Sequence, residues 1–304
     1  MAGDGQWQSG NADHTPRPAR QIMIKIVTDS TSDVPPDVAA ELGIGIVPVL
    51  LEIDGTSYLD GVTISRQQFY ANLVAYREIP RTAAPSVEVF TSSYRAAKAA
   101  GADEIISIHL NRRFSGLLGV AEVAAREMAA EGLPVRVVDS ESVTMGLGWL
   151  AITAARMARQ DKSAAEIVSY IGSLRSHVRI YALVDTLRYL RRSGRANALM
   201  AGLGDMLQIK LLLRVHDGLV EQVERIRTRT RGLARLGEVV HAHHKVEHLS
   251  VLHTTTGQAD DIAQLRAQCG DLVPLDQQYA IQVTPVIGAH VGPMAVGVAM
   301  VADV

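Results

Sequence analysis

The first half of this 304-residue chain alternates short apolar runs with polar loops and helical segments, and this alternation strongly constrains its fold. Residues 23–28, 104–110 and 135–139 are β-rich runs, each followed by a polar loop and a helical pattern. Strands that alternate with helices are typical of a parallel sheet covered on both faces. The sequence therefore predicts an α/β domain with a mostly parallel sheet over residues 22–172.

The regular alternation of predicted strands and helices ends in the second half of the chain. Two β-rich runs flank a turn at residues 217–218, where Asp-Gly is a strong hairpin signal. Residues 280–287 and 295–301 are predicted strands on either side of a Gly-rich turn that contains His290. The pattern predicts a mixed, partly antiparallel α+β domain over residues 173–304.

Two predicted helices begin with capping signals. Ser65 with Gln68, and Ser163 with Glu166, have the spacing of a capping box, in which each side chain bonds the other residue's backbone N–H. These spacings predict helix starts at both positions.

The composition excludes several classes of protein. Thirty Lys and Arg against 32 Asp and Glu give a net charge of −2, so no nucleic-acid partner is expected. Only three Phe, two Trp and eight Tyr are present, which predicts an aliphatic core. The single cysteine, Cys269, excludes an intrachain disulfide and any multi-cysteine metal site.

The sequence contains no predicted membrane span. The most apolar stretch, residues 44–51, is eight residues long and is interrupted by Gly45 and Pro48, whereas a span needs about 20. Residues 1–21 are polar and lack the apolar core of a signal peptide, so they are predicted to be a disordered extension. Together with the single cysteine, these features predict a cytoplasmic protein.

Polar loops follow three of the predicted parallel strands and form the candidate binding region. They place Ser30, Ser115 and Ser142 just before predicted helices. Open α/β sheets bind ligands at the carboxyl ends of their strands, where hydroxyls and helix N-termini can hold an anion. Each serine alone is more typical of an ordinary N-cap, and only their location on one sheet edge favours a binding site.

Other chemistries remain open at this point. Ser115, His290 and Asp29 could form a hydrolytic triad, although Arg113 and Leu117 stand where a nucleophile elbow has glycines. The protein could also be a binding module for a small polyol or a phosphate.

Two clusters of ionisable residues are further candidate sites. The histidines are spaced for one helix face, which indicates a solvated face more than a metal site, and no metal is expected. The arginines indicate either a solvated face or a docking patch for an acidic partner or phosphate. The clusters are His241, His244 and His248, and Arg188, Arg191, Arg192 and Arg195.

Several separated motifs together resemble the DegV family of bacterial fatty-acid-binding proteins. The resemblance spans residues 24–301, and each motif occurs in the order and spacing of that family. The motifs are IVTDSTSD at 26–33, YLDG at 58–61, PRTAAPS at 80–86, DEIISIHLNRRFSG at 103–116, VDS at 138–140, YALVDTLRYLRRSGR at 181–195, RTR at 227–229 and HVGP at 290–293.

The resemblance implies a two-domain DegV-like (EDD-type) fold that holds one long-chain fatty acid in an interior tunnel. It implies no catalytic residue and no cofactor in this chain. By motif, the carboxylate ligands would be Thr82, Ser115, Gly116 and His290. The same motifs place three further residues along the lining of that region: Asp29, Ser30 and Thr31.

The resemblance also implies a partner. Relatives present the carboxylate to a fatty acid kinase, which forms an acyl phosphate for phospholipid synthesis, and Arg195 would contribute to docking. Transient contact with a membrane surface is compatible with this role. The sequence departs from the family pattern at Ala83, Ala84, Leu117 and Met294.

Overall fold

The computed structural model describes residues 22–195, 209–255 and 258–304. Three short 3-10 helices, at Ser30–Ser32, Arg175–His177 and Leu275–Gln277, accompany the main elements. In chain order those elements are β1 (Ile24–Asp29), α1 (Pro36–Leu42), β2 (Gly45–Val47), β3 (Leu50–Ile53), β4 (Thr56–Leu59), α2 (Arg66–Asn72), β5 (Arg81–Ala83), α3 (Val87–Ala99), β6 (Glu104–His109), α4 (Leu117–Ala130), β7 (Val135–Asp139), α5 (Thr144–Ala158), α6 (Ala164–Leu174), β8 (Val178–Val184), α7 (Arg188–Ser193), β9 (Lys210–His216), β10 (Leu219–Ile226), α8 (Arg229–His241), β11 (Val246–His253), α9 (Ala259–Gln268), β12 (Tyr279–Gln282), α10 (Pro285–Val291) and β13 (Val296–Ala302).

The predicted parallel sheet of the N-terminal domain is confirmed. Its strands lie in the order β2-β1-β6-β7, and every pairing is parallel. Strand β6 is almost entirely buried, as expected for a strand covered on both faces. Both capping boxes, at Ser65 and Ser163, are also present and begin α2 and α6.

The C-terminal domain is built on a mixed sheet, as predicted. Its strand order is β10-β9-β8-β13-β11-β12, in which only β11 and β12 run parallel. The β9–β10 hairpin turns through Asp217 and Gly218, both with positive φ, which is the geometry of a type I′ turn. The predicted domain boundary near residue 172 falls inside α6 and stays a prediction.

Helix α5 lies between the two sheets and joins the domains. It packs against β1 on one side and β13 on the other. Eleven of its 15 residues are buried, because its sequence is apolar around most of its circumference. A Cβ at Gly148 would meet the backbone oxygen of Ser32 at 2.5 Å, so this close packing requires glycine.

A small antiparallel sheet, with the order β4-β3-β5, was not predicted. The β-rich run at residues 44–53, which by its pattern alone predicts one strand, forms the two strands β2 and β3 with Pro48 between them. Residues 80–85 begin and end with proline, which predicts a loop, but they contain β5, which pairs with β3 so that Thr82 lies opposite Leu51. Three-residue strands carry too little periodicity to be distinguished from loops.

The strand predicted over residues 280–287 is wrong in its second half. Strand β12 ends at Gln282, and helix α10 begins at Pro285 with Thr284 as its N-cap. His290 therefore lies in a helix and not in a turn between strands. Thr followed by Pro is a helix-start signal, but the apolar run around it favoured a strand.

The shared face predicted for the histidines is also wrong. Helix α8 ends at His241, whereas His248 lies in strand β11. Across the described ranges, no three metal-ligating side chains come together. The sequence also predicts a short helix over residues 196–206, which lie outside those ranges. None of the described helices is long and apolar enough to cross a membrane.

Substitution of Gly288 by alanine is expected to destabilise the fold by about 1–2 kcal/mol. A Cβ there would overlap the Tyr70 side chain, reaching 2.8 Å from its ring carbons. The matched control is Gly119→Ala, on the exposed side of α4, where a Cβ would meet nothing within 4 Å. That change should stabilise the protein by up to about 1 kcal/mol. Urea denaturation followed by circular dichroism measures both, and equal signs would contradict the expectation.

Candidate functional site

The centre of the candidate site is a contact between residues 208 positions apart in sequence. The hydroxyl of Thr82 lies 3.0 Å from Nε2 of His290, within hydrogen-bonding distance. Thr82 is placed by the pairing of β5 with β3, and His290 by helix α10, which packs against β3, β5 and α2. The fold thus brings two of the sequence-predicted ligands together.

This pair lies in a cleft of about 440 Å³. Polar and cationic side chains contribute much of its wall, so the cleft is suited to an anion. Arg195 donates from Nη1 to the Ser193 carbonyl at 2.7 Å and from Nε to the Phe114 carbonyl at 3.3 Å. The polar and charged lining residues are Arg81, Thr82, Arg192, Ser193, Arg195 and His290.

Burial controls the protonation of His290. It lowers the pKa of the imidazole to about 4, and the positive charge of Arg195 adds to the effect. The ring is therefore neutral at pH 7. Its Nδ1 is buried and has no hydrogen-bond partner among the described residues. A neutral imidazole can donate one hydrogen bond to a carboxylate without forming a tight ion pair.

The lowered pKa of His290 predicts a specific loss of stability in acid. The folded protein binds fewer protons than the unfolded chain between pH 6.5 and about 4, so the free energy of unfolding falls as the pH falls through that window. The loss attributable to this group is up to about 3 kcal/mol. Urea denaturation at pH 7.5 and pH 4.5 should show a smaller drop in His290→Gln than in the unaltered protein. An identical drop in both would contradict this.

Ser115 and Gly116 lie in the loop that leads into α4. Gly116 is the N-cap of that helix, and the Ser115 hydroxyl accepts a hydrogen bond from the Leu117 backbone N–H at 3.2 Å. The Phe114 carbonyl accepts from Arg195, so this loop approaches the residues that border the cleft. Within the described residues, no hydrogen bond joins Ser115 to His290.

Asp29 is fully buried at the carboxyl end of β1. Its carboxylate accepts hydrogen bonds from the backbone N–H groups of Thr31 at 3.0 Å and Leu110 at 3.1 Å, and it lies 3.0 Å from Nδ1 of His109. Ser30 accepts from the Val49 backbone N–H. These residues hold the loops at the carboxyl edge of the parallel sheet. Because Asp29 pairs with His109 and not with His290, the geometry does not support a Ser-His-Asp triad.

Sequence reasoning missed a buried chain of polar side chains that continues from Asp29. His109 Nε2 lies 2.6 Å from the Ser107 hydroxyl, which lies 2.8 Å from the Tyr94 hydroxyl. All of these side chains are completely buried. Ser107 and His109 occupy alternate positions of a strand whose other residues after Glu104 are isoleucines, and that alternation was the available signal.

A second cavity, almost purely apolar, lies on another side of α10. It encloses about 90 Å³ between that helix and the mixed sheet. Ile287 and Val291 line it, whereas His290 lies on a different face of the same helix and lines the cleft. Helix α10 thus separates a polar cleft from an apolar cavity.

The chain thus combines a parallel-sheet domain with a mixed-sheet domain, and residues from both halves of the chain line the cleft and the apolar cavity. The family model described as "Uncharacterised protein, DegV family" matches residues 23–303. The chain belongs to the DegV family, which confirms the resemblance seen in its motifs.

The relatives cover nearly the whole chain. A DegV domain-containing protein of Deinococcus radiodurans is 38% identical over 282 residues, which is 92% of this chain and 98% of the relative. One from Streptomyces coelicolor is 34% identical over 276 residues, or 90% and 97%.

Solved structures of the family share the fold. A DegV family protein of Thermus thermophilus, described for its fatty acid binding, matches with a TM-score of 0.83 and 27% identity over 93% of this chain and all of that one. DegV of Bacillus subtilis, described as a fatty acid binding protein, matches with a TM-score of 0.82, 25% identity and the same coverage.

Proposed function

We propose that this protein binds one long-chain fatty acid, with the carboxylate in the cleft and the acyl chain in the apolar interior. The observation that carries the proposal is the position of α10, whose His290 faces the polar cleft while Ile287 and Val291 face the apolar cavity. The fatty acid binding described for the proteins of Thermus thermophilus and Bacillus subtilis supports it.

The carboxylate is held mainly by neutral donors. The Thr82 hydroxyl and the His290 imidazole are already adjacent, and the Ser115 hydroxyl and Gly116 backbone N–H come from the neighbouring loop. Hydrogen bonds to an ionised acceptor contribute about 1.5–3 kcal/mol each. Neutral donors leave a carboxylate oxygen more reactive than a bidentate arginine pair would.

The acyl chain supplies most of the affinity. Burial of about 14 methylene groups at ~0.8 kcal/mol each gives on the order of 11 kcal/mol before the cost of association. The cavity of about 90 Å³ holds only part of such a chain. The side chains that line it, among them Ile287 and Val291, therefore change rotamer when the ligand enters, while the backbone of α10 stays in place.

The protein then presents the carboxylate to a kinase partner in the cytoplasm. A carboxylate oxygen attacks the terminal phosphorus of a nucleoside triphosphate held by the partner, the bond from that phosphorus to its bridging oxygen breaks, and the nucleoside diphosphate leaves. The chain itself contributes no catalytic residue. Arg192 and Arg195 are exposed at the cleft and suit docking of an acidic or phosphate-bearing surface.

Native mass spectrometry of the purified protein tests the proposal. We expect an added mass of one fatty acid that disappears on denaturation, together with uptake of palmitate or oleate by delipidated protein at a 1:1 ratio. A protein that takes up neither acid, yet shows a thermal shift with dihydroxyacetone or inorganic phosphate, would favour a small-polyol or phosphate module. Labelling of Ser115 by a fluorophosphonate would favour a hydrolase.

A further inference from the structure

Two buried carboxylates lie at the N-terminus of helix α10. Asp33 follows β1 and is 1% exposed, and Asp60 follows β4 and is 4% exposed. Both belong to the N-terminal domain, whereas α10 lies in the C-terminal half of the chain. The two aspartates and the residues bonded to or facing them are called the carboxylate cluster below. They are Asp33, Asp60, Arg66, Thr144 and Thr284.

Thr284 is the point at which both carboxylates contact α10. Its backbone N–H donates to Oδ1 of Asp33 at 2.7 Å, and its hydroxyl donates to Oδ2 of Asp60. The same hydroxyl accepts from the Val286 backbone N–H at 3.3 Å, which caps the helix. Tyr70 donates to the Val283 carbonyl at 2.9 Å. The start of α10 is therefore fixed by side chains of the other domain.

The cluster also reaches the apolar cavity. The Thr144 hydroxyl donates to Oδ2 of Asp33 at 2.6 Å, and Thr144 is one of the residues that line the cavity. Thr144 has a φ of +48° and Asp33 a φ of +56°, values uncommon for residues other than glycine and strained for a β-branched residue. Strained backbone of this kind persists where surrounding contacts impose it, commonly at functional sites.

The charges in this region do not balance. Arg66 is the cation closest to Asp33, at 3.1 Å, and it also donates to the Gln282 carbonyl. The same guanidinium attracts the Asp60 carboxylate and lowers its pKa, whereas the charge of Asp29 on β1 raises it. Burial raises the pKa of Asp33 to about 6 against the opposing effect of Arg66, and burial also raises the pKa of Asp60. Two buried carboxylates that share one arginine are costly for stability.

We propose that Asp33, Asp60 and Thr284 are positioning residues for ligand binding, which fix α10 so that His290 meets the carboxylate and Ile287 and Val291 meet the acyl chain. The inference rests on the proposed function. Thr284 precedes His290 by six residues, about 9 Å along a helix, so the cluster acts on the ligand only through α10. This role gives a reason for burying two carboxylates beside one arginine, although that arrangement costs stability.

The test compares Thr284→Val, which keeps the volume and loses the hydroxyl, with Thr284→Ser, which keeps the hydroxyl. Binding of the fluorescent C18 acid cis-parinarate is titrated, and the pKa of His290 is measured from its imidazole NMR signals, assigned with His290→Gln. We expect Thr284→Val to lose at least roughly tenfold in affinity. We also expect the His290 pKa to rise from about 4 toward 6.5, because a displaced helix exposes the ring. Thr284→Ser should retain both values.

Two controls separate this role from a general loss of stability. Thr91→Val removes another buried threonine hydroxyl, on α3, and should change neither readout. Asp33→Asn provides a second route to the same effect if Thr284→Val does not fold. Unchanged affinity and an unchanged His290 pKa in Thr284→Val, or in Asp33→Asn in that case, would overturn the positioning role. If the unaltered protein binds no parinarate, the proposed function fails, and the pKa comparison still decides the positioning role.

Discussion

Replacement of His290 by alanine is expected to weaken fatty acid binding by roughly 10- to 100-fold, because one hydrogen bond to an ionised carboxylate contributes about 1.5–3 kcal/mol. The same substitution leaves the Thr82 hydroxyl without its partner at 3.0 Å. Titration of delipidated protein with cis-parinarate at pH 7.5 measures the change. At that pH the imidazole is neutral, since burial lowers its pKa to about 4, so the loss reflects a neutral donor.

The control for this experiment is His241→Ala. His241 ends α8, bonds Asp271 at 3.1 Å near the surface, and lines neither the cleft nor the apolar cavity. Its replacement should leave the affinity within about twofold, as expected for a surface change away from the site. If the His290→Ala protein bound parinarate as tightly as the control, the fatty acid carboxylate would not lie in the cleft.

The largest stability effect is expected for Asp29→Ala. The substitution removes the acceptor shared by the Thr31 and Leu110 backbone N–H groups and leaves buried His109 without its carboxylate. Breaking a buried pair of this kind costs about 3–5 kcal/mol. The total free energy of unfolding of a domain is about 5–15 kcal/mol, so this loss is a large share of it. Urea denaturation followed by circular dichroism measures the loss.

Asp37→Ala is the matched control for Asp29→Ala. Asp37 is exposed in the first turn of α1, where its charge interacts favourably with the helix dipole. Its loss should cost no more than about 1 kcal/mol. Comparable losses in the two variants would show that the buried polar chain from Asp29 to Tyr94 contributes little to stability.

Two groups of residues are expected at the site: residues that contact the ligand, and residues that hold the loops at the carboxyl edge of the parallel sheet. Thr82 and His290 line the cleft, so their variants should change affinity most. Asp29 is buried beneath the loops, so its variant should change stability first. A result in which Asp29→Ala weakens binding without loss of stability would assign it to the lining instead.

Local interactions are what the sequence by itself determined. The capping boxes at Ser65 and Ser163 and the turn at Asp217 depend on residues within four positions of one another, so their patterns were sufficient. The alternation of strands and helices likewise predicted the parallel sheet, because strands covered on both faces are apolar throughout. The family motifs added the prediction that Thr82 and His290 are ligands, which stays a prediction.

The tertiary structure decided how distant segments meet. Helix α10 forms where a strand was predicted, and Asp33 and Asp60, more than 200 positions earlier, hold its N-cap at Thr284. Strand β5 exists because β3 supplies its hydrogen bonds, and that pairing places Thr82 beside His290. Asp29 pairs with His109 because β1 and β6 are neighbours in the sheet. Such contacts depend on packing between segments far apart in sequence, and no local pattern contains them.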